Sequence, residues 1–198
     1  MEQIENKTLF YFNSNINEET PKRILETLQK YPDRKEMEEK GDSDDRILWI
    51  NSLGGASIDF LSVLNLFKRY FKIVLGGPTL ESLAFLIWLS FPIERRYVLD
   101  NTLALFHHGS AGSGGHSDKY NLGFVCKKLK KEDEYFNKIM QKNLRVSSEK
   151  EVEDMALRES SFDCYDLKEY GLLDTDEDDS QSNIIQKECI LESKLVIL

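Results

Sequence analysis

Cysteine is scarce in this chain of 198 residues: Cys126, Cys164 and Cys189 are the only three. They are odd in number, far apart and without CxxC spacing. That excludes a disulfide framework and a zinc site, and it points to a reducing cytosol. Long hydrophobic runs are missing too. The longest, Leu83 to Ile93, is interrupted by Ser90 and Pro92 and falls well short of the ~20 residues that cross a bilayer. It reads as a buried helix, so no membrane segment is expected. The opening MEQIENKTLFYF carries acidic residues and no apolar stretch of the kind a secretory signal has. Positive charge is in deficit, with Lys+Arg at 26 against Asp+Glu at 35 and a net charge of −9. Such a chain repels phosphate backbones. This argues against general nucleic-acid binding without excluding a local basic patch. A GxxxxGK[ST] loop is absent, so ATP hydrolysis by that route is not expected. No internal repeat is found.

What is present suits one folded unit. Hydrophobic residues make up 40% and aromatics 11%, enough for a core, and at about 150 residues per domain the length allows little more than one. Thr8 to Phe12 reads as a buried strand. A helix follows, with Thr20 as N-cap, Pro21 at its first position, and Ile24, Leu25, Leu28 and Tyr31 on one face. Pro32 to Asp45 is charged, contains Gly41, and reads as a mobile surface loop (32–46 in the domain scheme below). Ile47 to Ile50 is a strand ending in the turn Asn51-Ser52-Leu53-Gly54-Gly55. The next helix has Ser57 as cap and Ile58, Leu61, Leu64 and Phe67 inward. Ile73 to Leu75 is a short strand broken by Gly76-Gly77-Pro78, and an apolar helix starts near Ser82. Tyr97 to Leu99 and Leu103 to Phe106 are strands around an Asp100-Asn101 turn. Gly109 to Gly115 reads as a flexible loop, and Asp118 to Leu144 as one long helix. Ser148-x-x-Glu151 resembles a capping box. Asp163 to Tyr170 is a short helix stopped by Gly171. Asp174 to Asp179 is an acidic linker, and Ile184 to Leu198 a tail with strand character. Strands alternating with helices indicate an α/β fold with a largely parallel sheet, residues 1–174, followed by an acidic linker and tail, residues 175–198.

Three features line up as an acyl-transfer site. Gly54-Gly55 follows a strand, where a glycine pair turns the backbone sharply and aims an N–H at a bound carbonyl oxygen. Ser82 begins a helix, which places its hydroxyl on a tight turn and leaves the Leu83 N–H without an intrahelical acceptor. His107 ends a strand, and an imidazole is the natural general base for a serine hydroxyl. Taken singly, a glycine pair is usually a turn, a serine at a helix start usually a cap, and a histidine ending a strand usually structural. Their order along the chain is what raises the odds.

At this point the sequence resembles the proteolytic subunit of the Clp protease. That family has an INSPGG turn, matched by Ile50-Asn51-Ser52-Leu53-Gly54-Gly55 with leucine for proline. Its nucleophile segment, G-x-A-A-S-M-G, aligns onto Gly77 to Ala84. Its KRYALPN and MIHQP segments align onto Arg95-Arg96-Tyr97-Val98-Leu99-Asp100-Asn101 and Leu105-Phe106-His107-His108-Gly109. Its A-x-E-Y-G-L-I-D ending aligns onto Leu167 to Asp174. The resemblance covers roughly Thr8 to Asp174. It implies a ClpP/crotonase-like α/β fold, a largely parallel sheet with flanking helices and a protruding handle helix at about 118–144.

The resemblance also implies a serine endopeptidase acting on peptides or unfolded polypeptides. Ser82 would be its nucleophile, His107 its base, and the Gly55 and Leu83 amides its oxyanion hole. Counting back without gaps from Glu169-Tyr170-Gly171 puts Glu159 where the family has its aspartate. A one-residue shift that matches Phe162 puts Ser160 there instead, with Asp163 as fallback. No metal or organic cofactor is implied. A homo-oligomeric ring in the cytoplasm is, and a separate ATP-driven unfoldase for folded substrates. The run Lys127, Lys128, Lys130 and Lys131 on the handle reads as a solvated face. Glu81 stands where the family has a small residue, and His-His-Gly stands in place of His-Gln-Pro. These departures keep a non-catalytic subunit on the same fold as the alternative. A crotonase-type acyl-thioester enzyme is a further one, disfavoured by a serine and a histidine at the protease spacing. An α/β binding protein that recruits a partner through its acidic tail is the bland reading.

Overall fold

Short apolar runs rich in β-branched and aromatic residues build the sheet, and helical apolar stripes cover it. A computed structural model describes residues 7–41, 46–56, 60–109, 119–144, 148–174, 183–185 and 194–198. Its strands are β1 (Thr8–Phe12), β2 (Arg46–Ser52), β3 (Ile73–Glu81), β4 (Arg96–Leu99), β5 (Leu103–Phe106), β6 (Ser160–Asp163), β7 (Ile184–Ile185) and β8 (Lys194–Ile197). Its helices are α1 (Thr20–Leu28), α2 (Arg34–Lys40), α3 (Phe60–Tyr70), α4 (Leu83–Leu89), α5 (Lys119–Asn143), α6 (Glu149–Leu157) and α7 (Cys164–Glu169). The sheet runs β6-β5-β3-β2-β1-β8, with β4 pairing β3 and β7. Every pairing is parallel except β5 with β6. This is the expected α/β architecture, a mostly parallel sheet flanked by helices.

Several local expectations are corrected. Pro32 to Asp45 is not all loop, because α2 lies within it. Asp33 accepts from the Glu36 N–H while Glu36 reaches back to the Asp33 N–H, and Gly41 closes the helix in the left-handed conformation (φ 70°). This capping box stabilises a helix that buries no residue and therefore has no apolar stripe to betray it. Thr20 is the first helical residue rather than the cap, which is Glu19. Leu61 faces out at 53% exposure, and α3 instead buries Phe60, Val63, Leu64, Phe67 and Tyr70. Ser57, Ile58 and the loop 110–115 lie outside the described residues.

The strand at Ile73 does not stop at the glycines. β3 runs on through Gly76-Gly77-Pro78 to Glu81 and exchanges partners on the way. Its first half pairs β4, from Val74↔Arg96 to Gly76↔Val98, and its last three residues pair β5, from Thr79↔Leu103 to Glu81↔Leu105. Opposite the break, the β2 register slips between Ile50 and Ser52. Proline is tolerated there because an irregular ladder needs no donor from it. Glycine is required at position 77, where a Cβ would sit 2.8 Å from the Asn51 Cβ and 3.0 Å from the Ile50 carbonyl oxygen.

α4 is the apolar hub. All seven of its residues are buried; the buried helix expected over Leu83 to Ile93 stops at Leu89, with Ser90 as its cap, and a separate 3-10 turn follows at Ile93–Arg95. Trp88 is fully buried, stacks on Phe85 and donates its Nε1–H to the Tyr97 carbonyl at 2.9 Å. Among the described residues, no helix is long and apolar enough to cross a membrane. Trp88→Ala should cost about 3–5 kcal/mol of stability, since it opens a large cavity and orphans a buried carbonyl. A urea unfolding curve with its midpoint lowered accordingly checks this, and an unchanged midpoint contradicts it.

Candidate active site

Parallel strands end together, and the segments leaving their carboxyl ends share one edge of the sheet, where α/β proteins bind ligands. Three such segments hold the predicted residues. β2 leads into Gly54-Gly55, β3 into Ser82 and β5 into His107. The Ser82 N–H donates to the Leu105 carbonyl at 2.8 Å, two residues before His107. Ser82 and His107 thus leave neighbouring strands at adjacent points.

Ser82 is the unusual backbone of the site. It sits at φ 53°, ψ −124°, caps α4 without a side-chain capping bond, and is half-buried. Only Ser82 and Glu159, among the described non-glycine residues, have positive φ. A side chain held there costs about 1–3 kcal/mol and persists only where its surroundings over-determine it. Gly54 supplies that constraint. Its φ is 86°, and a Cβ on it would lie 2.8 Å from the Ser82 Cβ and 2.9 Å from both the Glu81 carbonyl oxygen and the Leu83 nitrogen. The double-glycine bend therefore touches the serine turn, and any side chain at position 54 would force them apart.

Gly55 is fixed from the other side. Ile16 donates its N–H to the Gly54 carbonyl and accepts the Ala56 N–H, both at 2.7 Å. A Cβ on Gly55 would fall 2.1 Å from the Ile16 carbonyl oxygen. No acceptor among the described residues takes the Gly55 or the Leu83 amide. Ile16 and Asn51 are the positioning residues that sequence reasoning missed. Asn51 accepts the Thr79 N–H at 2.8 Å and donates to the Tyr11 hydroxyl at 3.0 Å, which pins the slipped register. An asparagine in a turn motif carries no signal of partners so far along the chain. Beside this turn a polar cleft of about 320 Å³ is lined by Asn13, Ser14, Asn15, Asn51, Ser52, Leu53 and Thr79.

The His107 ring is half-buried, and its Nδ1 lies 2.7 Å from the His108 carbonyl oxygen. A carbonyl only accepts, so Nδ1–H is the donor of this contact and Nε2 is the ring nitrogen left for another partner. Among the described residues no hydrogen bond joins His107 to Ser82. Glu159 is exposed, at φ 52°, in the turn from α6 to β6. The β5–β6 register pairs Phe106 with Ser160, and one step further along an antiparallel ladder aligns His107 with Glu159. Asp163 lies at the other end of that ladder, opposite Leu103, where its carboxylate caps α7 by accepting the Tyr165 and Asp166 N–H groups. Among the described residues no group of three or more His, Cys, Asp or Glu side chains gathers to hold a metal ion.

A family model for Clp protease matches residues 1–176. The chain belongs to the Clp protease family. No curated protein matches it. Clp protease membership supports a peptidase at family level, and the mostly parallel sheet flanked by helices is consistent with that family's fold. The Clp protease match takes in every element from β1 to α7 and stops before β7 and β8, which pair with β4 and β1.

Strain at Ser82 and crowding at Gly54 have opposite consequences for stability. Ser82→Gly should raise the unfolding free energy by about 1 kcal/mol or more as the positive φ becomes cost-free, and Gly54→Ala should lower it by a similar amount or more. Chemical denaturation of the two variants checks the pair. A destabilised Ser82→Gly would contradict the strain.

Proposed function

We propose that the protein is a serine-type endopeptidase that cleaves peptides or unfolded polypeptides through an acyl-enzyme. The observation that carries this reading is the strained Ser82 backbone at a strand-to-helix turn, wedged against Gly54. Strain of this kind is retained where chemistry uses it. In the proposed reaction, Ser82 Oγ attacks the peptide carbonyl while its proton passes to His107 Nε2. The carbonyl oxygen becomes an oxyanion facing the Gly55 and Leu83 amides, and each donor contributes about 3–4 kcal/mol to the transition state. His107 then protonates the leaving amine, the C–N bond breaks, and the serine ester remains. Water, deprotonated by His107, hydrolyses the ester and restores the hydroxyl.

Glu159 is the acid of the proposed triad, favoured by its place in line with His107. It would take over Nδ1–H from the His108 carbonyl when the imidazole turns to serve Ser82. The polar cleft beside Asn51 and Thr79 is the proposed path for an extended substrate. Assembly into a homo-oligomeric ring in the cytoplasm and supply by an ATP-driven unfoldase belong to the same proposal, on the strength of the family. One observation favours a second reading, a scaffold subunit without activity. The described imidazole bonds its own neighbour and not the serine.

A fluorophosphonate probe separates the two. Labelling that disappears in Ser82→Ala and falls at least tenfold in His107→Ala, with circular dichroism unchanged, is the expected result. An unlabelled native protein would support the scaffold. In peptide hydrolysis, Glu159→Gln should lower kcat by about tenfold to a hundredfold. A loss under threefold would leave the orienting role with the His108 carbonyl.

A further inference from the structure

The C-terminal end of α4, with the ends of α3 and α5 and the start of α2, borders a solvent-open concavity of about 960 Å³, away from the Ser82 turn. Its wall carries six cations, Arg34, Lys68, Lys72, Arg95, Arg96 and Lys142, against one carboxylate, Glu94. A chain of net charge −9 thus gathers nearly a quarter of its 26 lysines and arginines around one concavity. Three of the six have protein partners. Arg96 is buried and donates to the Phe91 and Leu172 carbonyls and to Asn143 Oδ1. Lys72 pairs with Glu38 at 2.9 Å, and Arg34 reaches the same carboxylate at 3.7 Å. Lys68, Arg95 and Lys142 form no ion pair among the described residues.

Packing like charges together is unfavourable unless something of opposite sign joins them. Its effect is visible on Lys68, whose ammonium is held below the ordinary lysine range by burial and then by the like charges of Lys142 and Arg96. The guanidinium of Arg34 also leaves its Nε buried without a hydrogen-bond partner. The rest of the wall mixes the polar Ser90 and Asn143 with apolar side chains such as Leu64, Tyr135 and Ile139. A metal cation is repelled here. A nucleic-acid duplex is excluded by the acidic surroundings and by the concave shape. A small multiply charged anion fits, because ammonium and guanidinium groups bind phosphate oxygens through charge-assisted hydrogen bonds.

We propose that this cavity is a binding site for a small oligophosphate, with its phosphate oxygens held by Lys68, Arg95 and Lys142. The site is independent of Ser82 and of the peptidase reading. Isothermal titration of the full chain with inorganic tripolyphosphate should show one saturable site. The double variant Lys68→Ala/Lys142→Ala changes side chains that lie outside the buried core, so circular dichroism should be unchanged. It should weaken binding by about tenfold or more. Lys22→Ala/Lys130→Ala, both exposed and outside the lining, should not. A parallel titration with adenosine triphosphate separates the sources. Tighter binding than tripolyphosphate assigns the site to a nucleotide whose ring lies on the exposed Tyr135, and equal binding assigns it to the inorganic chain. Lack of saturable binding, equal affinity in the Lys68→Ala/Lys142→Ala variant, or full competition by sulfate at matched ionic strength would overturn the proposal.

Discussion

Ser82 cannot relax because the chain in front of it is already occupied. Gly54 lies within contact distance of its Cβ and of the Leu83 nitrogen, Ile16 holds Gly54 and Ala56 by two 2.7 Å bonds, and the Leu105 carbonyl holds the Ser82 amide. Behind it, β3 has exchanged β4 for β5 across Gly76-Gly77-Pro78, and that exchange is what brings β5, and with it His107, alongside. A side chain on Gly77 would collide with Asn51 and undo the slipped register. The site is thus a consequence of one strand changing neighbours. The helix that starts at the strained turn is buried along its whole length, so the core anchors the strain.

The fold was legible where apolar periodicity reflects burial. The run Leu83 to Ile93 read as a buried helix and is one as far as Leu89, and Ser148-x-x-Glu151 read as a cap and is one. The glycine pair, Ser82 and His107 were legible as types at the ends of strands, and the structure brings their backbones to one edge of the sheet. Features that depend on distant partners were hidden. β3 looked broken at Gly76-Gly77-Pro78 because local rules treat glycine and proline as punctuation, while the close approach of Asn51 and Trp49 that requires Gly77 is tertiary. α2 was missed because its stability comes from capping and surface ion pairs rather than from burial. The role of Asn51 needs Tyr11 and Thr79 in place before it can be seen.

Charge tells a similar story at larger scale. Composition reports an acidic chain, and that holds on average. Spacing along the chain gave no hint that Arg34, Lys68, Arg95 and Lys142, drawn from four separate segments, would meet around one cavity. α4 runs between the two regions, with Ser82 at its start and Leu89 and Ser90 on the cavity wall. A seven-residue helix spans about 10 Å, so the two ends are joined by a short, fully packed element.

The most direct measurement is a crystal structure of the protein after reaction with a peptidyl phosphonate. The expected structure has phosphorus bonded to Ser82 Oγ, the phosphoryl oxygen within about 3.1 Å of the Gly55 and Leu83 nitrogens, and His107 Nε2 turned toward the adduct. An adduct on another residue, or a phosphoryl oxygen directed away from the double-glycine bend, would contradict the assignment of this turn as the seat of catalysis.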